Sequence, residues 1–257
     1  MSTIEIIQPI AGALYLGTIT TVGIRLIVLA RRHRGLPELL LGLSLLLGGT
    51  FGAVLEVGGM SPDAPIEPHV AGLLLAMGKG LVVAGFACQV LFVRIVFRPR
   101  EGWATALVAG LIFVQLATFA AFGAAGTFSN GQMPSSIFLV ELTSRAAGSV
   151  WLIAESLRYY AFMRRRLALG IADPLVTDRF RLWAIAGTSA LVMLGTSAPP
   201  VVIEDQSAPW LLMMLPLFAA SGIAASGTYL LAFFPPGWYR RFISRHLGDD
   251  AGRTEAA

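Results

Sequence analysis

The sequence predicts an all-α membrane protein, a bundle of seven transmembrane helices, on the basis of its composition, its apolar stretches and its arginines. Hydrophobic residues make up 56% of the 257 residues and charged residues only 13%, whereas soluble domains average about 25% charged residues. The mean hydropathy is +0.73. A soluble fold of this length has too little interior to bury so much apolar surface. The composition therefore excludes the water-soluble enzymes.

Seven apolar stretches are each long enough to cross a membrane. A helix needs about 20 residues to span a hydrocarbon core of about 30 Å. Transmembrane β-strands would be about ten residues long and would alternate in polarity, so the stretches predict helices. The predicted spans are 4–30, 36–58, 70–97, 103–125, 135–163, 180–198 and 210–234.

The arginines predict the orientation of the bundle. Lys79 is the one lysine of the sequence, beside 18 arginines. The connections 59–69, 126–134 and 199–209 contain neither lysine nor arginine. Cytoplasmic loops are enriched in basic residues, so the N-terminus is predicted outside and the C-terminus in the cytoplasm. This bias explains the pI of 9.7, and we expect no nucleic-acid partner. The arginines of the predicted cytoplasmic loops and tail are Arg31, Arg32, Arg34, Arg98, Arg100, Arg164, Arg165, Arg166, Arg179, Arg240, Arg241, Arg245 and Arg253.

The chain divides into a long membrane domain and a short tail. Residues 1–236 are predicted to form the seven-helix domain, which ends at Pro235-Pro236. Residues 237–248 place aromatic and aliphatic side chains on one side of a helix and arginines on the other, which is typical of a helix lying at the membrane surface. Residues 249–257 are predicted to be disordered. The abundance of Arg, Ala, Gly and Leu is typical of GC-rich bacterial genomes, so we expect a multi-pass protein of the bacterial inner membrane.

The third and seventh spans show a faint internal similarity. Gly85 and Phe97 recur as Gly222 and Phe234, in each case 137 residues further along the chain. The two spans have the same predicted direction, which would fit a parallel 3+1+3 repeat of the kind found in some transporters. The alternative is chance matching within a chain rich in Leu, Ala and Gly.

Three short segments support a family resemblance. They are Leu36-Pro37-Glu38-Leu39-Leu40, Asp173-Pro174 with Arg179-Phe180, and Phe234-Pro235-Pro236. With these segments, the chain resembles uncharacterised standalone seven-helix proteins of the bacterial inner membrane. The resemblance implies a fold and a location but no activity. The seventh span contains no lysine that could hold retinal, unlike the rhodopsins, which share the seven-helix layout.

The fifth span carries a polar stripe. Glu141, Arg145, Glu155 and Tyr159 fall on one helix face at the 3.6-residue period. Glu141 and Arg145 are spaced to form an i,i+4 ion pair, and Glu155 can meet Arg158 or Tyr159. One interpretation is that the charges of the stripe neutralise one another and hold this helix against its neighbours. The other is that they line part of a transport path.

Lys79 and Arg145 predict a polar pocket in the outer half of the bundle. Lys79 lies about 13 Å from the outer end of its span at 1.5 Å per residue, and Arg145 lies at a similar depth, which is too deep for easy contact with water. Charged residues at such depth usually face the bundle interior and are often functional. Two cations would suit a small anionic ligand, and the alternative is a structural pair of Lys79 with Glu56 or Glu141. The proposed ligand-binding residues are Lys79, Arg145, Glu141, Glu56, Tyr15 and His69.

These features favour a non-enzymatic sensor, a receptor-like protein or an accessory protein with an outward-facing pocket. The first alternative is a small-solute or proton-linked transporter, and the second is an intramembrane lipid-modifying enzyme. The three histidines lie at helix ends or in surface segments, so no metal site and no cofactor are predicted. Expected partners are the lipid bilayer, a small ligand and a membrane or cytoplasmic protein that would relay a signal.

Overall fold

The computed structural model describes residues 3–60, 66–196 and 209–254. Within these ranges it describes only the backbone of residues 3–9, 130, 209–213 and 247–254. This part of the chain is almost entirely helical and contains no β-strand. The second predicted span consists of α2, a π-helical segment and α3, which together run over Leu36–Met60. The elements are α1 (Thr3–His33), α2 (Leu36–Leu43), the π-helical segment (Ser44–Gly52), α3 (Ala53–Met60), α4 (Pro68–Phe97), α5 (Gly102–Ala124), α6 (Thr127–Asn130), α7 (Ser135–Ala168), α8 (Pro174–Thr196), α9 (Pro209–Phe233) and α10 (Gly237–Thr254).

Local sequence signals set the helix ends. Proline stands in the first turn of α2 and at the first residue of α4, where its missing N–H costs no hydrogen bond. The Asp173 carboxylate accepts hydrogen bonds from the amides of Leu175 and Val176 at 2.7 and 3.2 Å, which caps the start of α8. Gly170 adopts a positive φ of 70° just after α7, a conformation that glycine tolerates without strain.

Six helices of the described chain are long and apolar enough to cross a membrane. They correspond to α1, the Leu36–Met60 span, α4, α5, α7 and α9. Many large apolar side chains on them are exposed, including Phe113 at 70% and Val57 at 65%. A soluble monomer does not expose so much apolar surface, whereas lipid covers it. The fold is therefore an all-helical bundle of a multi-pass membrane protein.

The sixth predicted span, 180–198, corresponds to α8, which begins earlier, at Pro174. Arg179 and Arg181 lie in its first two turns, and α8 is not among the six apolar helices. Residues 197 and 198 of this predicted span lie outside the described residues, as do the connections 61–65 and 197–208. The seven-helix count therefore stays a prediction.

The long helices form a ring in which each packs on its neighbours. α1 packs between the Leu36–Met60 span and α9, and α9 packs on α8, which packs on α7. α4 closes the ring by packing on both the Leu36–Met60 span and α7. α5 lies outside this ring against α4 and α7. This ring places residues of α1, α4, α7 and α9 around one common interior.

Glycines bring the π-helical segment and α3 unusually close to α4. A Cβ atom on Gly85 would lie 2.6 Å from the Gly48 Cα atom, and one on Gly78 would lie 2.9 Å from the Glu56 Cα atom. Such backbone contact between membrane helices requires residues without side chains. The approach at Gly78 places Glu56 beside Lys79, the next residue of α4.

The C-terminal helix α10 lies against α8. Tyr239 and Ile243 are buried and pack with Leu182 and Ala232, while Trp238 and Phe242 are 61% and 47% exposed. Exposed aromatic residues beside arginines suit the headgroup region of a membrane. The helix runs on to Thr254, so residues 249–254, which were expected to be disordered, are helical in the structure. Residues 255–257 lie outside the described chain.

A buried hydrogen bond fastens α10 to α8. The Tyr239 hydroxyl donates to the Asp178 carboxylate, which is 1% exposed and pairs with Arg181 at 2.6 Å. Burial and the neighbouring Asp178 carboxylate raise the pKa of Tyr239 to about 12 from its ordinary value of 10. The raised pKa means that the folded state favours the neutral phenol.

We expect the Tyr239→Phe substitution to lower the free energy of unfolding by about 1–2 kcal/mol, because buried Asp178 loses a hydrogen-bond donor. The difference from the wild type should be constant below pH 10 and should shrink as the pH rises towards 12, where the wild-type phenol ionises. Thermal unfolding of both proteins in detergent from pH 7 to 12 measures this. A difference that stays the same over the whole range would contradict the assignment.

Candidate functional site

Lys79 is the centre of a buried charge cluster. Its side chain is 1% exposed, and its Nζ atom donates to Glu56 Oε1 and to Glu141 Oε2, each at 2.9 Å. The Nζ atom also lies 4.5 Å from the centre of the Phe122 ring, a favourable position for a cation. One lysine thus joins α3, α4, α5 and α7. Of the two pairings left open by the sequence, the structure contains both.

Glu141 connects this lysine to Arg145. Its Oε1 atom accepts from Arg145 Nη2, in the i,i+4 geometry expected from the sequence. The amide of Gln115, which is fully buried in α5, donates to the Glu141 carbonyl at 3.1 Å and to the Ser144 hydroxyl. The Gln115 bonds hold the middle of α5 against the backbone of α7 at Glu141.

The charge cluster, defined as Lys79, Glu56, Glu141 and Arg145, is formally neutral. Its two cations face two carboxylates, and each contact falls within ion-pair distance. Both cations that were expected to suit an anionic ligand are therefore already paired with carboxylates. A neutral cluster lets the charges remain buried at a moderate energetic cost, and it leaves no unbalanced positive charge for a ligand to neutralise.

A central cavity of about 220 Å³ lies beside the charge cluster, inside the helix ring. Arg145 contributes one wall, and its Nε atom is buried without a hydrogen-bond partner among the described residues. The other walls combine hydroxyl and amide groups with apolar side chains and the π-helical segment. The polar residues lining the cavity are Tyr15, Ser44, Gln89, Arg145, Ser149 and Tyr229.

An apolar layer separates the central cavity from the arginine-rich end of the bundle. Phe86, Val90 and Val93 of α4 pack here against Trp151 and Leu152 of α7. Val90 and Val93 are completely buried. A Cβ on Gly148 would lie 2.6 Å from the Phe86 ring, so α7 and α4 are in close contact at this level.

Glu155 belongs to a second, separate cluster beyond the apolar layer. It lies 14 residues after Glu141, or about 21 Å along α7 at 1.5 Å per residue. Its Oε1 atom accepts from Arg98 Nε at 2.7 Å, and Arg158, which is 62% exposed, lies 3.9 Å from its Oε2 atom. The Tyr159 hydroxyl donates to the Phe97 carbonyl at 3.4 Å. These contacts join α7 to the end of α4, so the polar stripe is interrupted rather than continuous.

No family model, curated protein or solved structure matches this chain. The resemblance to seven-helix inner-membrane proteins therefore stays a prediction.

The predicted site residues divide into three groups. Lys79, Glu56, Glu141 and Arg145 come together in the charge cluster, and Tyr15 joins Arg145 at the central cavity. His69 lies apart, since its side chain is 76% exposed and its Nδ1 atom lies 3.2 Å from Glu67 Oε2 near the start of α4. Glu155, Tyr159 and Arg158 lie in the second cluster.

Sequence reasoning missed several residues of the site. Gln115 is the clearest case, because a single amide in an otherwise apolar span is itself a signal of an interior contact. Gln89, Ser149 and Tyr229 also line the central cavity, yet small or isolated polar residues in membrane helices are usually packing contacts. Within the described residues, no group of three His, Cys, Asp or Glu side chains could hold a metal ion.

Proposed function

We propose that this chain is a receptor-like or accessory membrane protein that binds a small polar ligand in the central cavity. The observation that carries the proposal is that Arg145, a residue of the cavity wall, has a buried Nε–H without a hydrogen-bond partner among the described residues. An unsatisfied buried donor costs free energy. A ligand that accepts this hydrogen bond would recover that free energy.

The cavity supports a ligand that is small and has no strong net charge. Its volume of about 220 Å³ is about seven times the 30 Å³ occupied by one liquid water molecule. Arg145 is already paired with Glu141, so an anion would gain little from charge neutralisation. Tyr15, Gln89 and Tyr229 offer hydroxyl and amide groups instead. This favours a neutral or zwitterionic ligand over the anion expected from the sequence.

The positive-inside pattern supports an orientation in which the charge cluster and the cavity lie in the outer half of the proposed seven-helix bundle in the bacterial inner membrane. The ligand would then come from outside, and the apolar layer of Phe86, Val90 and Trp151 would separate its site from the cytoplasm. That separation favours sensing over transport. The α10 surface around Trp238 and Phe242, exposed beside arginines, would remain for the membrane surface or a protein partner.

We expect the wild-type protein, purified gently in detergent, to retain a small molecule that the Arg145→Met variant loses. A hydrogen bond from a guanidinium contributes about 1.5–3 kcal/mol, so the variant should bind at least about tenfold more weakly. Native mass spectrometry of both proteins measures the retained mass and identifies its chemical class.

The matched control is Arg158→Met, which removes an arginine from the same helix at a 62% exposed position outside the cavity. This variant should retain the molecule. The Arg145→Lys variant keeps the charge opposite Glu141 but has no Nε–H, so it should also lose the ligand. Equal retention by the wild type and the Arg145 variants would disprove the site, and an empty wild-type protein would count against a receptor role.

A transport function is the second candidate, and the π-helical segment favours it. Ser44–Gly52 lines the cavity through Ser44, Gly48 and Gly49, and π-helical turns often occur at functional sites, where a helix changes register. Such a change would be needed to open the apolar layer. Uptake of the retained molecule into proteoliposomes would establish transport, and binding without uptake would favour the receptor.

A further inference from the structure

A second cavity lies at the arginine-rich end of the bundle, beyond the apolar layer. Its volume is about 340 Å³, and α1, α2, α4, α8 and α9 all contribute to its walls. The walls are mostly apolar and include the aromatic rings of Phe92, Trp183 and Phe233. Only Arg25, Arg179 and Glu38 bring charge to it. The cavity therefore combines a charged rim with an apolar, aromatic interior.

Among the described residues, the two arginines have no carboxylate partner. The ion pairs of the described residues at this end of the bundle involve Arg98, Arg158 and Arg181, and neither Arg25 nor Arg179 takes part. The Arg25 guanidinium lies 4.1 Å from the centre of the Phe234 ring. The Nε atom of Arg179 is buried and has no hydrogen-bond partner in the described part of the chain. Two guanidinium groups thus have unused donors at one cavity.

Glu38 does not neutralise these arginines. Its carboxylate turns back against Gly35, the residue that precedes α2, where a negative charge interacts favourably with the helix N-terminus. The carboxylate is not within ion-pair distance of either arginine. The cavity therefore keeps a net positive charge, unlike the neutral charge cluster of the proposed ligand site.

We propose that this cavity binds a phosphate ester with an apolar tail, held by Arg25 and Arg179 through its phosphate oxygens. Guanidinium groups offer several N–H donors in a fixed plane and recognise phosphate particularly well. The tail would pack against Phe92, Trp183 and Phe233. An anionic phospholipid of the surrounding leaflet carries both parts, and a soluble organophosphate carries the same recognition group. The site is separate from the central cavity and does not depend on its function.

The test uses the full chain in detergent after removal of bound lipid. Dihexanoyl phosphatidylglycerol is titrated by isothermal titration calorimetry into the wild type and into the Arg179→Met and Arg25→Met variants. We expect each variant to bind about tenfold more weakly, because each loses charge-assisted hydrogen bonds to phosphate. Arg25 is exposed, so its variant tests the site even if Arg179→Met does not fold.

The matched control is Arg32→Met, which removes an exposed arginine of the same helix that does not line the cavity. It should change the affinity by less than about twofold, as for other exposed charges. Dihexanoyl phosphatidylcholine has the same tails but no net charge, and it should bind more weakly than the phosphatidylglycerol.

Inorganic phosphate distinguishes the two sources of the ligand. Competition by phosphate would support recognition of the phosphate group alone and hence a soluble ester, whereas its failure to compete beside tight phosphatidylglycerol binding would support a lipid. Equal binding of the two lipids, or affinities unchanged by both cavity variants, would overturn the proposal.

Discussion

We expect the Lys79→Met substitution to lower the free energy of unfolding by about 3–5 kcal/mol, because it leaves a buried carboxylate without its cation. Glu141 keeps Arg145 as a partner, so the uncompensated charge is that of Glu56, whose side chain is only 14% exposed. The change is measured from unfolding in detergent with increasing sodium dodecyl sulfate. A variant as stable as the wild type would show that the charge cluster contributes nothing to the fold.

The double variant Lys79→Met with Glu56→Gln separates charge from packing. It removes the orphaned carboxylate and leaves the neutral pair of Glu141 and Arg145, so it should recover at least half of the lost stability. The control is Arg158→Met, which breaks an exposed pair on α7 and should change stability by about 1 kcal/mol or less. If the double variant is as unstable as Lys79→Met, the loss comes from packing and not from the charge of Glu56.

The Gly85→Ala substitution should destabilise the protein by about 1–3 kcal/mol, although it adds only one methyl group. The new Cβ atom would lie 2.6 Å from the Gly48 Cα atom and 3.1 Å from the Ser44 carbonyl oxygen. Both are backbone atoms of the π-helical segment, so relief requires this segment and α4 to separate. Thermal unfolding in detergent measures the effect.

Gly80→Ala is the matched control on the same helix. The nearest atoms to its Cβ would be those of the Phe119 ring at 3.9 Å, which is ordinary contact. Alanine favours helix over glycine by about 0.5–1 kcal/mol, so this variant should be as stable as the wild type or more stable. Equal effects at the two positions would contradict the assigned contact between Gly85 and Gly48.

The helices were predictable because each depends on nearby residues. The predicted stretch 70–97 and the observed Pro68–Phe97 differ by two residues at one end, since a run of apolar residues between polar loops determines where a membrane helix lies. The boundaries of α8 were less accurate. There the helix starts at Pro174, directly after the Asp173 cap and six residues before the predicted span 180–198 begins.

The partners of the charged residues were only partly predictable. The spacing of Glu141 and Arg145 on one helix was enough to pair them, whereas Lys79 had two candidate acids and Glu155 was expected to meet Arg158 or Tyr159. The structure gives Lys79 both acids and gives Glu155 a closer partner, Arg98, from another helix. A pairing between helices depends on their relative height and rotation, which hydrophobic periodicity does not specify.

Composition, hydropathy and the arginines establish that the chain is an all-helical membrane protein, and they predict its orientation. They can do so because the preference of each segment for the membrane or for one side of it depends on the residues of that segment alone. The tertiary structure decided the rest: the contact at Gly78 that brings Glu56 to Lys79, the interior position of Gln115, and the apolar layer that separates the two charge clusters. All three depend on how closely helices that are distant in sequence approach one another. That approach is determined by the packing of side chains from several helices at once.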